Sequence, residues 1–221
     1  MARRRVRLRV RAKHPIESAM IGYYNYTVVL TYMAVAIAFY GMTQAMRGQV
    51  LNAVIALMFA GLCDMFDGPV ARRRKRTEHE KRFGIQIDSL ADVICFGVLP
   101  AIIGYNIGLS SGWQFAILPL YVLAALSRLA YFNVTEEDRQ EETDEKRHTY
   151  EGLPVTTVAL LIPAIYGFNG LLGSRFPLVY AASLICFSLA FLIRVKVRKL
   201  GPVGMLVLIG VGIAELIWVL I

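Results

Sequence analysis

Apolar residues run along this chain in long unbroken blocks, not in alternation. Residues 18–46, 48–63, 93–127, 152–174, 176–193 and 200–214 contain no Asp, Glu, Lys or Arg. A bilayer-crossing helix needs about 20 apolar residues, whereas an outer-membrane strand needs about ten in alternation. The pattern therefore predicts an all-α, multi-pass transmembrane helical bundle. Seven spans are expected, at roughly 19–41, 49–67, 85–106, 114–132, 153–170, 177–194 and 202–221. The seventh is the weakest, because Glu215 lies inside it.

Polar positions add the topology. The charge-free run after the basic start is too long for the core of a cleaved signal peptide, so a retained first helix is expected. With the N-terminus in the cytoplasm, every Lys and Arg of the 24 except Arg47 and Arg175 falls on the inner side, as the positive-inside rule requires. The expected location is the cell membrane, with N-terminus and active site facing the cytoplasm. Three parts follow: a basic cytoplasmic segment at 1–18, a transmembrane domain at 19–194, and a basic loop with a C-terminal hydrophobic segment at 195–221. The stretch 136–147, EEDRQEETDEKR, reads as a solvated, mobile connector.

Composition agrees. The 221 residues are 57% hydrophobic and 18% charged, with a mean hydropathy of +0.53. The net charge of +8 is explained by topology and does not call for a nucleic-acid partner. Cys63, Cys95 and Cys186 lie in apolar runs. Their odd number and wide spacing argue against a disulfide framework or zinc site, and they are expected in the core.

The chemistry concentrates in residues 64–92. Asp64 and Asp67 stand at the end of the second span, Asp88 and Asp92 at the start of the third. At about 100° per residue, Asp64, Asp67, Gly68, Ala71 and Arg72 share one helix face. Gly84, Asp88 and Asp92 form a second stripe. A short loop makes the two helices antiparallel neighbours, so their acidic ends face each other. Burying a carboxylate at mid-bilayer costs about 2.5–3.5 kcal/mol, and clustered anions repel, so a cation must sit among them. Carboxylate oxygens suit magnesium, manganese or calcium. Gly68, Ala71 and Gly84 leave room beside the ion, and Arg72 offers a planar fork for phosphate. His79 is left as a solvated loop residue. A cation transporter is the alternative from another class.

The run Asp64-x-x-Asp67-Gly68-x-x-Ala71-Arg72, followed by Gly84-x-x-x-Asp88-x-x-x-Asp92, resembles the signature of the CDP-alcohol phosphatidyltransferase family, and all eight fixed positions match. The spacer between Arg72 and Gly84 is longer than is usual there. Phe96–Pro100, the run Ser127-Arg-Leu-Ala-Tyr-Phe-Asn133, and Gly152-Leu-Pro-Val-Thr156 resemble the phosphatidylserine synthases of that family. The resemblance implies a six-helix core, a homodimer and a site open to the inner leaflet. It also implies a divalent cation, Mg2+ or Mn2+, held by Asp64, Asp67, Asp88 and Asp92, with Asp92 acting as general base.

The reaction so implied moves a phosphatidyl group from CDP-diacylglycerol to L-serine and releases CMP. CDP-diacylglycerol would lie against Gly68, Ala71, Arg72 and Gly84. Arg128, inside an apolar span, is the first candidate for the serine carboxylate, with a snorkelling arginine as its bland alternative. Asn133, Glu151 and Thr156 are weaker candidates for the same pocket. Acceptors such as glycerol 3-phosphate or inositol phosphate call for more buried cations than Arg128 alone.

Overall fold

The computed structural model of the protein describes residues 22–24, 26–71, 77–142, 149–194, 196–198 and 201–221. Six helices among these are long and apolar enough to cross a membrane, which makes this a multi-pass membrane protein.

A short 3-10 turn, Tyr26–Val28, leads into α1 (Val29–Met46). The first span thus begins later than 19 and ends beyond 41. The helix runs on until Gly48, whose φ of +77° is the left-handed geometry that ends helices. The chain returns as α2 (Val50–Ala71). Small residues let these two helices approach closely: a Cβ added to Gly41 would stand 2.8 Å from that of Ala56. Ala34, Ala38 and Ala45 of α1 are buried with Ala53 and Ala60 of α2. Close backbone approach of this kind replaces the hydrophobic effect, which is lost in lipid.

The third crossing is a continuous helix, Glu78–Ile107, made of α3 (Glu78–Asp92), a π-helical turn at Val93–Val98, and α4 (Leu99–Ile107). Thr77 caps its start, accepting from the Glu80 amide while Glu80 accepts from the Thr77 amide. Pro100 explains the π turn. It has no N–H for the carbonyl of Phe96, and its ring would strike that carbonyl in a regular ladder. The wider turn relieves the clash. The buried Tyr121 hydroxyl supplies the missing donor to Phe96 at 2.7 Å, and the Tyr180 hydroxyl donates to the Pro100 carbonyl at 2.9 Å.

Helix α5 (Gly112–Glu142) is 31 residues long, about 46 Å at 1.5 Å per residue. It extends well past the span expected at 114–132. The polar stretch read as a mobile connector is therefore helical as far as Glu142, being rich in good helix formers. Residues 143–148 lie outside the described residues. A two-stranded ribbon follows: β1 (Thr149–Glu151) pairs antiparallel with β2 (Lys196–Arg198). Between them run α6 (Val158–Tyr166), α7 (Asn169–Leu172) and α8 (Phe176–Leu192). The chain closes with α9 (Pro202–Leu220). The short apolar helix is thus the fifth, Val155–Tyr166, and not the seventh, which is long enough to cross.

Gly104 inside α4 and Gly108 just after it serve different ends. A Cβ on Gly104 would lie 3.0 Å from both Leu118 and Tyr180, so it admits α5 and α8. Gly108, at φ +134°, ends the helix. Cys95 is buried and Cys63 half-buried, but Cys186 is exposed on α8 instead of lying in the core.

Tyr121→Phe leaves the Phe96 carbonyl without its hydroxyl donor inside the bundle. The expected loss is about 1–2 kcal/mol, read as a lower unfolding temperature in detergent. Tyr40→Phe, on an exposed face, should leave that temperature unchanged.

Candidate active site

The acids meet as antiparallel helices require. Asp64 and Asp67 are one turn apart on α2, Asp88 and Asp92 one turn apart on α3. The deeper pair, Asp64 and Asp92, is in side-chain contact, as is the outer pair, Asp67 and Asp88. One carboxylate oxygen each from Asp64, Asp88 and Asp92 lies within 4.8 Å of the others, and Asp92 is the most buried of the three. Oxygens bound to one ion at roughly 2.0–2.6 Å lie no more than about 4–5 Å apart, so this set meets the spacing a divalent cation needs. Asp67 stands beside the trio and accepts from the Thr31 hydroxyl at 3.5 Å. That contact ties the acidic end of α2 to α1. In the sequence Thr31 carries one signal, a hydroxyl in an otherwise apolar span; its burial and its contact with Asp67 belong to the fold.

Helix α3 is locked against α5 by a chain of polar side chains. Ser89 donates to the Asn133 side-chain oxygen at 2.8 Å, and the Asn133 amide donates to Gln86 at 3.3 Å. Gln86 in turn donates to Glu137 at 3.4 Å. Ser89 and Gln86 flank Asp88 in sequence, so this ladder sets the rotation of α3 and turns its acids toward α2. Asn133, expected in an acceptor pocket, has both ends of its amide engaged here.

The remaining predicted residues fall in three places. Thr156 lines the same cavity as Asp64. Gly68 and Gly84, each one turn outward from an acid, are half-buried. Arg128 is only 6% exposed, with its guanidinium 5.8 Å from the Phe132 ring centre. A Cβ on Gly152, at φ +79°, would come within 3.2 Å of the Arg128 Nε and 3.1 Å of the Phe191 carbonyl. Only glycine fits that crossing of arginine and chain. Arg72, and the side chains of Ala71 and Glu151, lie outside the described residues. His79 is exposed, as expected, but it lies in the first turn of α3 and not in a loop.

A model of the CDP-alcohol phosphatidyltransferase family matches residues 24–194. The chain is 42% identical over 109 residues to a CDP-diacylglycerol–serine O-phosphatidyltransferase of Saccharomyces cerevisiae, covering 48% of this chain and 38% of the relative. It is 33% identical over 147 residues to an archaetidylserine synthase of Methanothermobacter thermautotrophicus, covering 65% and 59%. A Helicobacter pylori CDP-diacylglycerol–serine O-phosphatidyltransferase is 36% identical over 106 residues, covering 46% and 40%. The chain thus spans less than two thirds of the length of each of these relatives. Enzymes of the matched family depend on a divalent cation, which the carboxylate set suits. The match runs from just before α1 to the end of α8, over the helices that carry all four acids, and this chain belongs to the CDP-alcohol phosphatidyltransferase family.

Proposed function

We propose that the protein is a phosphatidylserine synthase, which joins the serine hydroxyl to the phosphatidyl group of CDP-diacylglycerol and releases CMP. The observation that carries this is the convergence of the α2 and α3 carboxylates, one of which, Asp64, also lines an apolar cavity. Support for serine comes from the three relatives, each named for a serine product or acceptor. Their names differ in the lipid, so the acceptor is the firmer half of the reading.

Asp64, Asp67, Asp88 and Asp92 would hold the cation, Mg2+ or Mn2+ by the oxygen chemistry of the set. When bound, that ion neutralises charge on the diphosphate and the leaving CMP. Asp92 takes the serine hydroxyl proton as the oxygen attacks the phosphorus bearing diacylglycerol. The new bond is serine oxygen to phosphorus, and the broken one is phosphorus to the CMP oxygen. Gly68, Ala71 and Gly84 leave space for the cytidine, and Arg72 steadies the phosphates. Arg128, with Thr156 and Glu151, is assigned to the serine. Asn133 is assigned to orienting α3, because its amide is spent on Ser89 and Gln86. The site faces the cytoplasmic side of the cell membrane, and the enzyme acts as a homodimer.

Purified protein should release CMP from CDP-diacylglycerol with serine, and not with inositol, glycerol 3-phosphate or inositol phosphate. Chelation should stop release, and Mg2+ or Mn2+ should restore it. Release with a phosphorylated acceptor alone would reassign the acceptor.

Asp92→Asn keeps a coordinating oxygen but loses the base. Turnover should fall by about 10²–10⁴-fold, while metal-dependent binding of CDP-diacylglycerol survives in equilibrium binding measurements. Loss of lipid binding with normal single-turnover chemistry would make Asp92 a ligand only.

Arg128→Lys retains charge without the planar fork. The Michaelis constant for serine should rise while that for CDP-diacylglycerol holds. A change confined to the lipid would move Arg128 to a phosphate.

A further inference from the structure

A cavity of about 510 Å3 lies between α2, α6 and α9. That volume is within the roughly 300–1,000 Å3 of small-molecule sites. The space is partly open at the surface of the bundle, so a lipid chain can enter it from the side.

The lining is graded. Asp64, Thr156 and Thr157 contribute its polar groups, and Met58, Leu160 and Leu216 are among the apolar ones. One of the cluster carboxylates therefore opens directly into an apolar channel. Along α9 the lining runs from Met205 to Leu216, about 16 Å at 1.5 Å per residue. This is close to half of a roughly 30 Å hydrocarbon core, the depth of one leaflet. A molecule matching these features carries a cation-binding polar head at the Asp64 cluster and one leaflet's length of hydrocarbon behind it.

The α9 wall is applied from outside and pinned at its ends. Near its C-terminus, the Trp218 ring lies 3.1 Å from where a Gly167 Cβ would stand and packs edge-on against Phe168 at 4.8 Å. At its start it follows β2, which is paired to β1. Helix α9 also lies beyond residues 24–194, the part matched by the family. Gly212 is the narrow point of leverage. It lines the cavity, and a Cβ there would meet Leu160 at an ordinary 3.5 Å. One carbon fits, and anything longer enters the channel.

We propose that this cavity receives one acyl chain of the CDP-activated glycerolipid, and that α9, through Gly212, sets which chain lengths fit. The proposal rests on the reading of the substrate given above.

Two experiments test it. The first uses CDP-diacylglycerol bearing a diazirine near the end of one acyl chain, irradiated with the full-length protein and mapped by mass spectrometry. Label should appear on the lining residues Met205, Leu208, Ile209 and Leu216 and on Met58, and unlabelled CDP-diacylglycerol should compete it away. Label confined to outward residues such as Val203 and Leu206, both well exposed, would overturn the channel. The second measures kcat/KM for long-chain and short-chain CDP-diacylglycerol. Gly212→Leu should lower the long-to-short ratio by about tenfold or more, since single methylenes discriminate by 10-fold upward. Gly212→Ala should leave it unchanged, as should Gly210→Leu, where an added Cβ meets nothing within 4 Å. An unchanged ratio in a folded, active Gly212→Leu overturns the role of α9. Competed label in the cavity without CMP release from any acceptor would keep the channel and sink the proposed reaction.

Discussion

Carboxylates brought together at the ends of apolar helices set the terms for the rest of the molecule. Oxygens of Asp64, Asp88 and Asp92 lie within 4.8 Å of one another, and like charges this close in a medium of low dielectric repel strongly. Without a cation the arrangement has to be imposed by surrounding packing. The close approach of α1 to α2 at Gly41 and Ala56 and the Thr31 contact to Asp67 hold one side. The ladder from Gln86 and Ser89 to Asn133 and Glu137 holds the other.

The third crossing solves a local conflict in a way that serves the site. Pro100 breaks the hydrogen-bond ladder two turns below Asp92, and the π turn between them takes up the mismatch. Tyr121, reaching in from α5, donates to the Phe96 carbonyl that the proline leaves over, and Tyr180 of α8 donates to the carbonyl of Pro100 itself. A broken backbone pair in the membrane is costly unless protein groups replace it. The break therefore also recruits a neighbouring helix, α5, to hold the acid-bearing one.

Polarity divides the bundle along its length. Asp64 of α2, which meets the acids of α3, and the two threonine hydroxyls just before α6 supply the polar end, and methionine, leucine and isoleucine line the space beyond. A lipid with a charged head has the same division. The fold thus presents to its substrate the gradient that the bilayer itself presents.

Much of this was written in the order of residues. Charge-free blocks determined the membrane class, because no water is available to charges there. The spacing of Asp64, Asp67, Asp88 and Asp92 determined that each helix carries its acids on one face, because periodicity is a property of a single helix. What the sequence left open were relations between helices. That Asp64 meets Asp92 while Asp67 meets Asp88, that Asn133 spends its amide on α3, that the fifth apolar helix is short and that α9 walls a cavity all depend on the rotation and depth of one helix against another. Those are decided by small residues such as Gly61 and Gly104, whose partners Ala159 and Tyr180 lie far away along the chain. Only the assembled bundle brings such pairs together, because how closely two helices pack is a property of both surfaces at once.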